Sequence, residues 1–196
     1  MRRWMRWTAV AVAASAMAMV STMAPAMAQM TGGMSQMQVP GKTKQPPLSP
    51  AAKAAVMVAG ASITIDYSAP SMRGRKIFGG LVPYGVVWRT GANAATTLKT
   101  SANLKIGSLM VPAGTYTLYT MPGAEAWKLI VNRQTGQWGT IYHADQDLGR
   151  VDLKVAKNGA PVEKMKIEFD HTKGSMTMLH IVWADLNLSV PVTVVK

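Results

Sequence analysis

Four stretches of the chain alternate apolar and polar residues with a period of two: Ile63 to Tyr67, Val151 to Val155, Met165 to Phe169 and Leu186 to Val194. This period constrains the fold more than any other feature. A strand sends successive side chains to opposite faces, so each stretch has one buried face and one wet face, as antiparallel sheet requires. Trp127 to Val131 and Met176 to Ala184 are more continuously apolar, which predicts central strands. Gly- and Pro-bearing turns at 112–114, 122–123, 132–136, 158–159 and 173–174 punctuate the runs. No segment after Ile63 carries a helical period. The expected fold is all-β, a single antiparallel β-sandwich, jelly-roll-like or immunoglobulin-like. One stretch admits two readings. Ser49-Pro50 ahead of Ala51 to Val58 suits an N-capped helix. Val56-Met57-Val58, at near-hairpin spacing from Ile63, suits a first strand.

The N-terminus predicts export. Arg2, Arg3 and Arg6 form a positive segment, Thr8 to Val20 is apolar, and Ala26-Met27-Ala28 offers a small-x-small cleavage site. Residues 1–28 are therefore expected to be a signal peptide, 29–48 a disordered linker and 49–196 the folded domain, placed in the periplasm or secreted. The apolar run is too short for a transmembrane anchor, and no later segment reads as one. Cysteine is absent, which excludes lipidation at the cleavage site, disulfides and thiol chemistry. The domain must then be held by its core alone, and its length suffices for one. Losing Arg2, Arg3 and Arg6 takes three charges from the chain's +12 and leaves +9. Such a domain is drawn to anionic envelope polymers, without a motif for specific nucleic-acid binding. Thioethers in and beside the linker (Met27, Met30, Met34 and Met37) are of a type that binds copper, but methionine is frequent throughout, with 16 in all.

The most distinctive stretch is Ser71 to Asn93, SMRGRKIFGGLVPYGVVWRTGAN, rich in Gly and Arg and devoid of acid. With the YSAP before it, VPAGTYTLYTMPG after it, and a later Trp, VN and QWG, it resembles the exported bacterial family catalogued as domain of unknown function 2911. The resemblance covers about Ser49 to Val195. It implies an exported all-β domain with no established activity, and it assigns no residue roles. Members of that family commonly carry Arg where this chain has Ala69 and Glu where it has Ala94, which implies a pair in relatives that this chain lacks.

Read for their own chemistry, the residues of this stretch suggest a ligand surface. Arg73, Arg75 and Lys76 on a glycine-rich loop are suited to a phosphate or carboxylate. The competing structural reading has the glycines carry the loop across the end of the sheets while the cations stay solvated. Trp88 and Arg89 would face opposite ways on extended chain, Trp88 toward the core. Arg89, Asn93 and Tyr84 together suit a carboxylated or carbohydrate ligand, the aromatic ring meeting a sugar face. The plainer alternative is a buried Arg89 that satisfies loop carbonyls, with Asn93 as an αL turn residue.

Catalytic signals are weak. His180 lies on a strand face with Met176, Met178 and Val182, His171 reads as a turn residue, and His143 alternates with Asp145 and Asp147 in a way that would put three metal-type ligands on one side of an extended segment. Tyr116 and Tyr119 should occupy opposite faces of one strand, and Trp138-Gly139 is a candidate stacking platform. The leading expectation is a non-catalytic module binding an anionic or carbohydrate envelope ligand, with no cofactor and no metal. The rival is an envelope-polymer hydrolase using His180 or His143 with nearby carboxylates.

Overall fold

The computed structural model describes residues 47–195. The expected signal peptide and nearly all of the expected linker, with its methionines, lie outside the described residues. The chain forms nine strands, β1 (Ala51–Val58), β2 (Ala61–Ser68), β3 (Thr96–Thr100), β4 (Asn103–Ile106), β5 (Leu109–Val111), β6 (Gly114–Met121), β7 (Trp127–Asn132), β8 (Asp147–Lys173) and β9 (Met176–Val195). They join in one antiparallel ladder in the order β1-β2-β3-β6-β7-β8-β9-β4-β5. The all-β antiparallel class expected from the alternation is the class adopted. The only helical turn among the described residues is a 3-10 turn at Ala144–Gln146. No helix of the described residues is long and apolar enough to cross a membrane.

The open question at 51–58 resolves as strand. Ala51 to Val58 pairs along its whole length with β2, from Ala51 opposite Ser68 to Val58 opposite Ala61. The two-residue link has positive φ at both positions, +48° at Ala59 and +83° at Gly60. That is the geometry whose twist matches a right-handed hairpin. Helix propensity of the alanines yields to a paired edge that buries Ala54 and Val58.

The ladder curls over so that strands from both of its ends share one core. Val58, Ile63 and Ile65 belong to the same buried cluster as Leu104, Val111 and Val192. Ser71 forms an antiparallel bridge with Lys164. Beside it Met72 N–H donates to Glu163 O at 2.8 Å and Met165 N–H to Pro70 O at 2.9 Å. The Tyr67 hydroxyl accepts from Ile167 N–H at 3.0 Å. These bonds satisfy strand edges that would otherwise stand open.

The strands β8 and β9 are longer than the alternation suggested. Asn158-Gly159 was expected to turn the chain, but β8 runs through it with register irregularities between Lys157 and Lys166. The Asn158 amide instead donates to Ala184 O and Leu186 O, both at 3.1 Å. It thereby holds β9 carbonyls at the point where the ribbon bends, and Ala184 sits at φ +51° there. The hairpin expected at Lys173-Gly174 does form, joining Lys173 to Met176.

Strands β6 and β7 are covered on both sides. Tyr116 and Leu118 face the main core, whereas Tyr119 packs with Ile130 and Ala95 in a second cluster flanked by Val87, Met121 and Tyr142. The opposite-face placement expected of the two tyrosines is therefore observed. The second face is closed by the chain around 87–95 and 137–142. This is why Trp127 to Val131 carries no polar alternation.

Candidate functional site

The segment between β2 and β3 both plugs the core and frames a cleft. Ile77, Phe78 and Val82 are buried in the main cluster. A tight turn makes that possible: Gly80 N–H donates to Ile77 O and Val82 N–H to Ile77 O. A Cβ on Gly80 would lie 2.6 Å from Lys76 O, so only glycine fits that approach. Phe78 meets Trp127, Trp88 and Trp183 edge-on, with centroids at 4.9, 6.5 and 6.1 Å. Trp88 stacks on Trp183 at 5.8 Å. The following residues are pinned to β6, with Trp88 and Thr120 exchanging backbone hydrogen bonds of 2.8 Å. The stretch is thus anchored by its apolar residues, while Arg73 and Arg75, which the structural reading left solvated, donate to backbone carbonyls.

Above the aromatic cluster lies a cleft of about 230 Å³, lined among others by Arg75, Leu81, Trp88, Arg89, Gly91 and Trp183, with no acidic residue in its wall. Arg75 is tied back, its Nε donating to Met72 O at 2.9 Å and an Nη to Ser71 O at 2.7 Å. Arg89 is different. Its Nε is buried without a hydrogen-bond partner, and among the described residues no carboxylate forms a salt bridge with it. Burial lowers its pKa from the ordinary guanidinium value. Its stem lies against Gly139, where a Cβ would come 1.9 Å from Arg89 Cδ. Two other buried side-chain atoms lack partners, Gln134 Oε1 and Gln137 Oε1, both on the segment following β7.

The backbone around Arg89 is unusual. Thr90 has φ +54° and is wholly buried, and Asn93 has φ +59°. Asn93 fulfils the αL expectation. A β-branched residue in that region costs roughly 1–3 kcal/mol unless its surroundings hold it. Here Thr96 Oγ1 donates to Thr90 O at 2.9 Å and fixes the turn.

The six residues singled out from sequence do not converge. Arg75 and Arg89 line the cleft. Arg73, also at positive φ (+51°), turns its guanidinium to Leu48 O at 2.9 Å. Lys76 is exposed and outside the lining, and exposed Tyr84 lies beside Gly79. Asn93 reaches toward Ser49 O and Ser68 Oγ at 3.4 Å each. Ala69 is buried and Ala94 exposed, the latter bridged to Trp138. Trp138 is exposed, while Trp127 is sealed in the core, so the two tryptophans flanking the turn share no face.

The histidines separate as well. The 3-10 turn at Ala144–Gln146 interrupts the alternation of His143, Asp145 and Asp147. Asp147 is spent on Asn132, Tyr142 and Arg150, so the three do not form a common ligand set. His180 does find a carboxylate: Nε2 is 3.0 Å from Asp170 Oδ1 and Nδ1 is 2.8 Å from Asn187 Oδ1. Both ring nitrogens thus have a polar partner, their donor and acceptor roles depending on the tautomer. His171 also meets Asp170, at 2.6 Å, a contact that reading it as a plain turn residue missed.

These features define an all-β domain with a cationic, aromatic-floored cleft at one crossing loop. The chain belongs to the family described as Protein of unknown function (DUF2911), whose model matches residues 49–192. No curated protein and no solved structure matches it.

Proposed function

We propose that the domain is a non-catalytic binding module of the bacterial envelope, exported by its N-terminal segment, which takes an acidic group of an anionic carbohydrate polymer into the Arg75–Arg89 cleft. The observation that supports this reading is Arg89: a cation lowered by burial, with a buried Nε lacking a partner, lining a cleft without acids. A buried guanidinium nitrogen without a partner is costly, and a ligand carboxylate or phosphate in the cleft would stabilise the half-buried charge through charge-assisted hydrogen bonds. The partly buried ring of Trp88, which lines the cleft, offers an apolar edge beside it for a sugar.

The test is titration with polygalacturonate, with neutral dextran as control. Wild-type protein should bind the acidic polymer alone, more weakly as salt rises. Arg89→Met keeps the stem and removes the charge. It should weaken binding about 10–100-fold, the equivalent of one charge-assisted hydrogen bond of about 1.5–3 kcal/mol. Equal binding by wild type and Arg89→Met, or indifference to polymer charge, would overturn the proposal.

A further inference from the structure

A second group of side chains converges on the β8–β9 hairpin, apart from the cleft. Asp170 Oδ1 lies 3.0 Å from His180 Nε2 and 2.6 Å from His171 Nδ1. All three ligand-type atoms lie within 4.8 Å of one another. Regular strand would place Asp170 and His171 on opposite faces. His171 escapes that rule because its φ is +50° and the β8–β9 register slips between Asp170 and Lys173. The bend in β9 contributes the other half of the arrangement. Seven residues of straight strand span roughly 23 Å, yet Asn187 comes within hydrogen-bond distance of His180. The corner at Ala184 (φ +51°) lies between them.

The donor–acceptor pattern is informative. With Asn187 Oδ1 accepting, His180 Nδ1 carries the proton, and the lone pair of Nε2 then faces a carboxylate oxygen at 3.0 Å. Two acceptors cannot face each other at that distance without a cation between them. The cation is either a second proton or a metal ion. His171 Nδ1 brings a third ligand-type atom onto the same carboxylate oxygen, and an ion could gather all three. Ligands at about 2.0–2.2 Å from a tetrahedral ion stand roughly 3.3–3.6 Å apart, so the two Asp170 contacts would open slightly on binding, within the 4.8 Å that already holds the three atoms. Metal-bound histidines also hold their remote N–H on a polar acceptor, as His180 does on Asn187. Asp170 and His171 are open to solvent and His180 is largely covered, with side-chain exposures of 42%, 77% and 14%. An ion can therefore enter from outside and find one ligand already fixed.

We infer that Asp170, His171 and His180 form a site for a divalent first-row metal ion of imidazole-preferring type, such as zinc, with Asn187 orienting His180. Two imidazoles and one carboxylate suit this class better than magnesium or calcium, which favour all-oxygen sets. Three protein ligands leave at least one position open to water. The inference does not depend on the anion cleft.

The experiment is calorimetric titration of Zn²⁺ into the purified protein, with Mg²⁺ as control. The methionine-rich N-terminal region does not confuse this probe, because thioethers favour copper(I). One Zn²⁺ should bind per chain, and Mg²⁺ should not compete. His171→Ala alters an exposed side chain, so the fold, checked by circular dichroism, should persist while affinity falls at least tenfold. Asn187→Ala should weaken binding about 10–100-fold through loss of ring orientation, and Asn187→Asp, which restores an acceptor, should recover most of it. Absence of saturable Zn²⁺ binding means that a proton alone bridges His180 and Asp170 and overturns the inference. So does a His171→Ala protein that binds zinc as tightly as wild type.

Discussion

Two arginines bordering the second face of the sheet show opposite solutions to the same problem. Arg150 sits beside Asp147, with its Nε and an Nη 3.0 and 2.8 Å from Oδ2 and with Tyr142 Oη at 2.8 Å. Its pKa is raised, first by the Asp147 hydrogen bond. Arg89 has a buried Nε with no partner, and its pKa is lowered by burial. A charge whose protein partners are complete has a structural role. A charge held in a cleft without them is available to something else. The contrast makes Arg89, and not the more numerous exposed cations, the residue to follow.

The contrast can be broken most forcefully at Asp147. That carboxylate also accepts from Asn132, which is wholly buried and donates as well to His143 O. Asp147→Ala removes the carboxylate partner of an arginine and one of the two acceptors of a buried amide. Denaturant unfolding should show a loss of about 2–3 kcal/mol, mostly from the part-buried hydrogen bonds that Asn132 and Tyr142 lose, with the exposed Arg150 adding at most about 1 kcal/mol. A loss under about 1 kcal/mol would mean that Arg150 is as unneeded by the fold as Arg89.

Gly139→Ala should come next, at about 1–3 kcal/mol. The new methyl group meets Arg89 Cδ and also Asn93 O, at 2.6 Å. In an Arg89→Ala background the penalty should shrink without vanishing, since the carbonyl remains. Full additivity of the two changes would show that Arg89 does not rest on Gly139.

Smaller still is the effect of Arg89→Met on stability: within about 0.5 kcal/mol of wild type, or up to about 1 kcal/mol more stable. The sign is what matters. A clear loss of melting temperature would mean that Arg89 finds a protein partner in solution, and the two arginines would then be alike.

The subtlest test is alkaline. Burial, and then the hydrogen bond to Asp147, push Tyr142 up to about 12. A phenol whose folded pKa exceeds its unfolded value of about 10 contributes stability in full below that value and loses it as pH rises through the folded one. Ultraviolet titration of tyrosinate should therefore show one group ionising near 12, and stability should decline above about pH 10. Removing Asp147 should bring that group down.

The strands were legible in sequence wherever one face is wet and the other dry. Ile63 to Tyr67 and Met165 to Phe169 announce themselves because alternation is a local consequence of burial. Asn158-Gly159 misled because the pair has the form of a turn, and what overrides it is a partner strand that passes both sides of it. The candidate site was legible in part. The glycines and Trp88 mark a loop that packs closely, but nothing local tells Arg89 from Arg73. Their difference is whether a carbonyl stands within reach, as Leu48 O does for Arg73. His171 was hidden for a similar reason, since its contact with Asp170 depends on a positive φ.

By itself, then, the sequence determined the class of fold, the cysteine-free reliance on a packed core and the excess of positive charge, because composition and period are properties of the chain as written. The tertiary structure decided which arginine lacks a partner, and that Asp170, His171, His180 and Asn187 meet. Those facts arise from a bent ribbon and left-handed residues that bring together atoms from separate parts of the chain, and neither pairing leaves a periodic trace in the sequence.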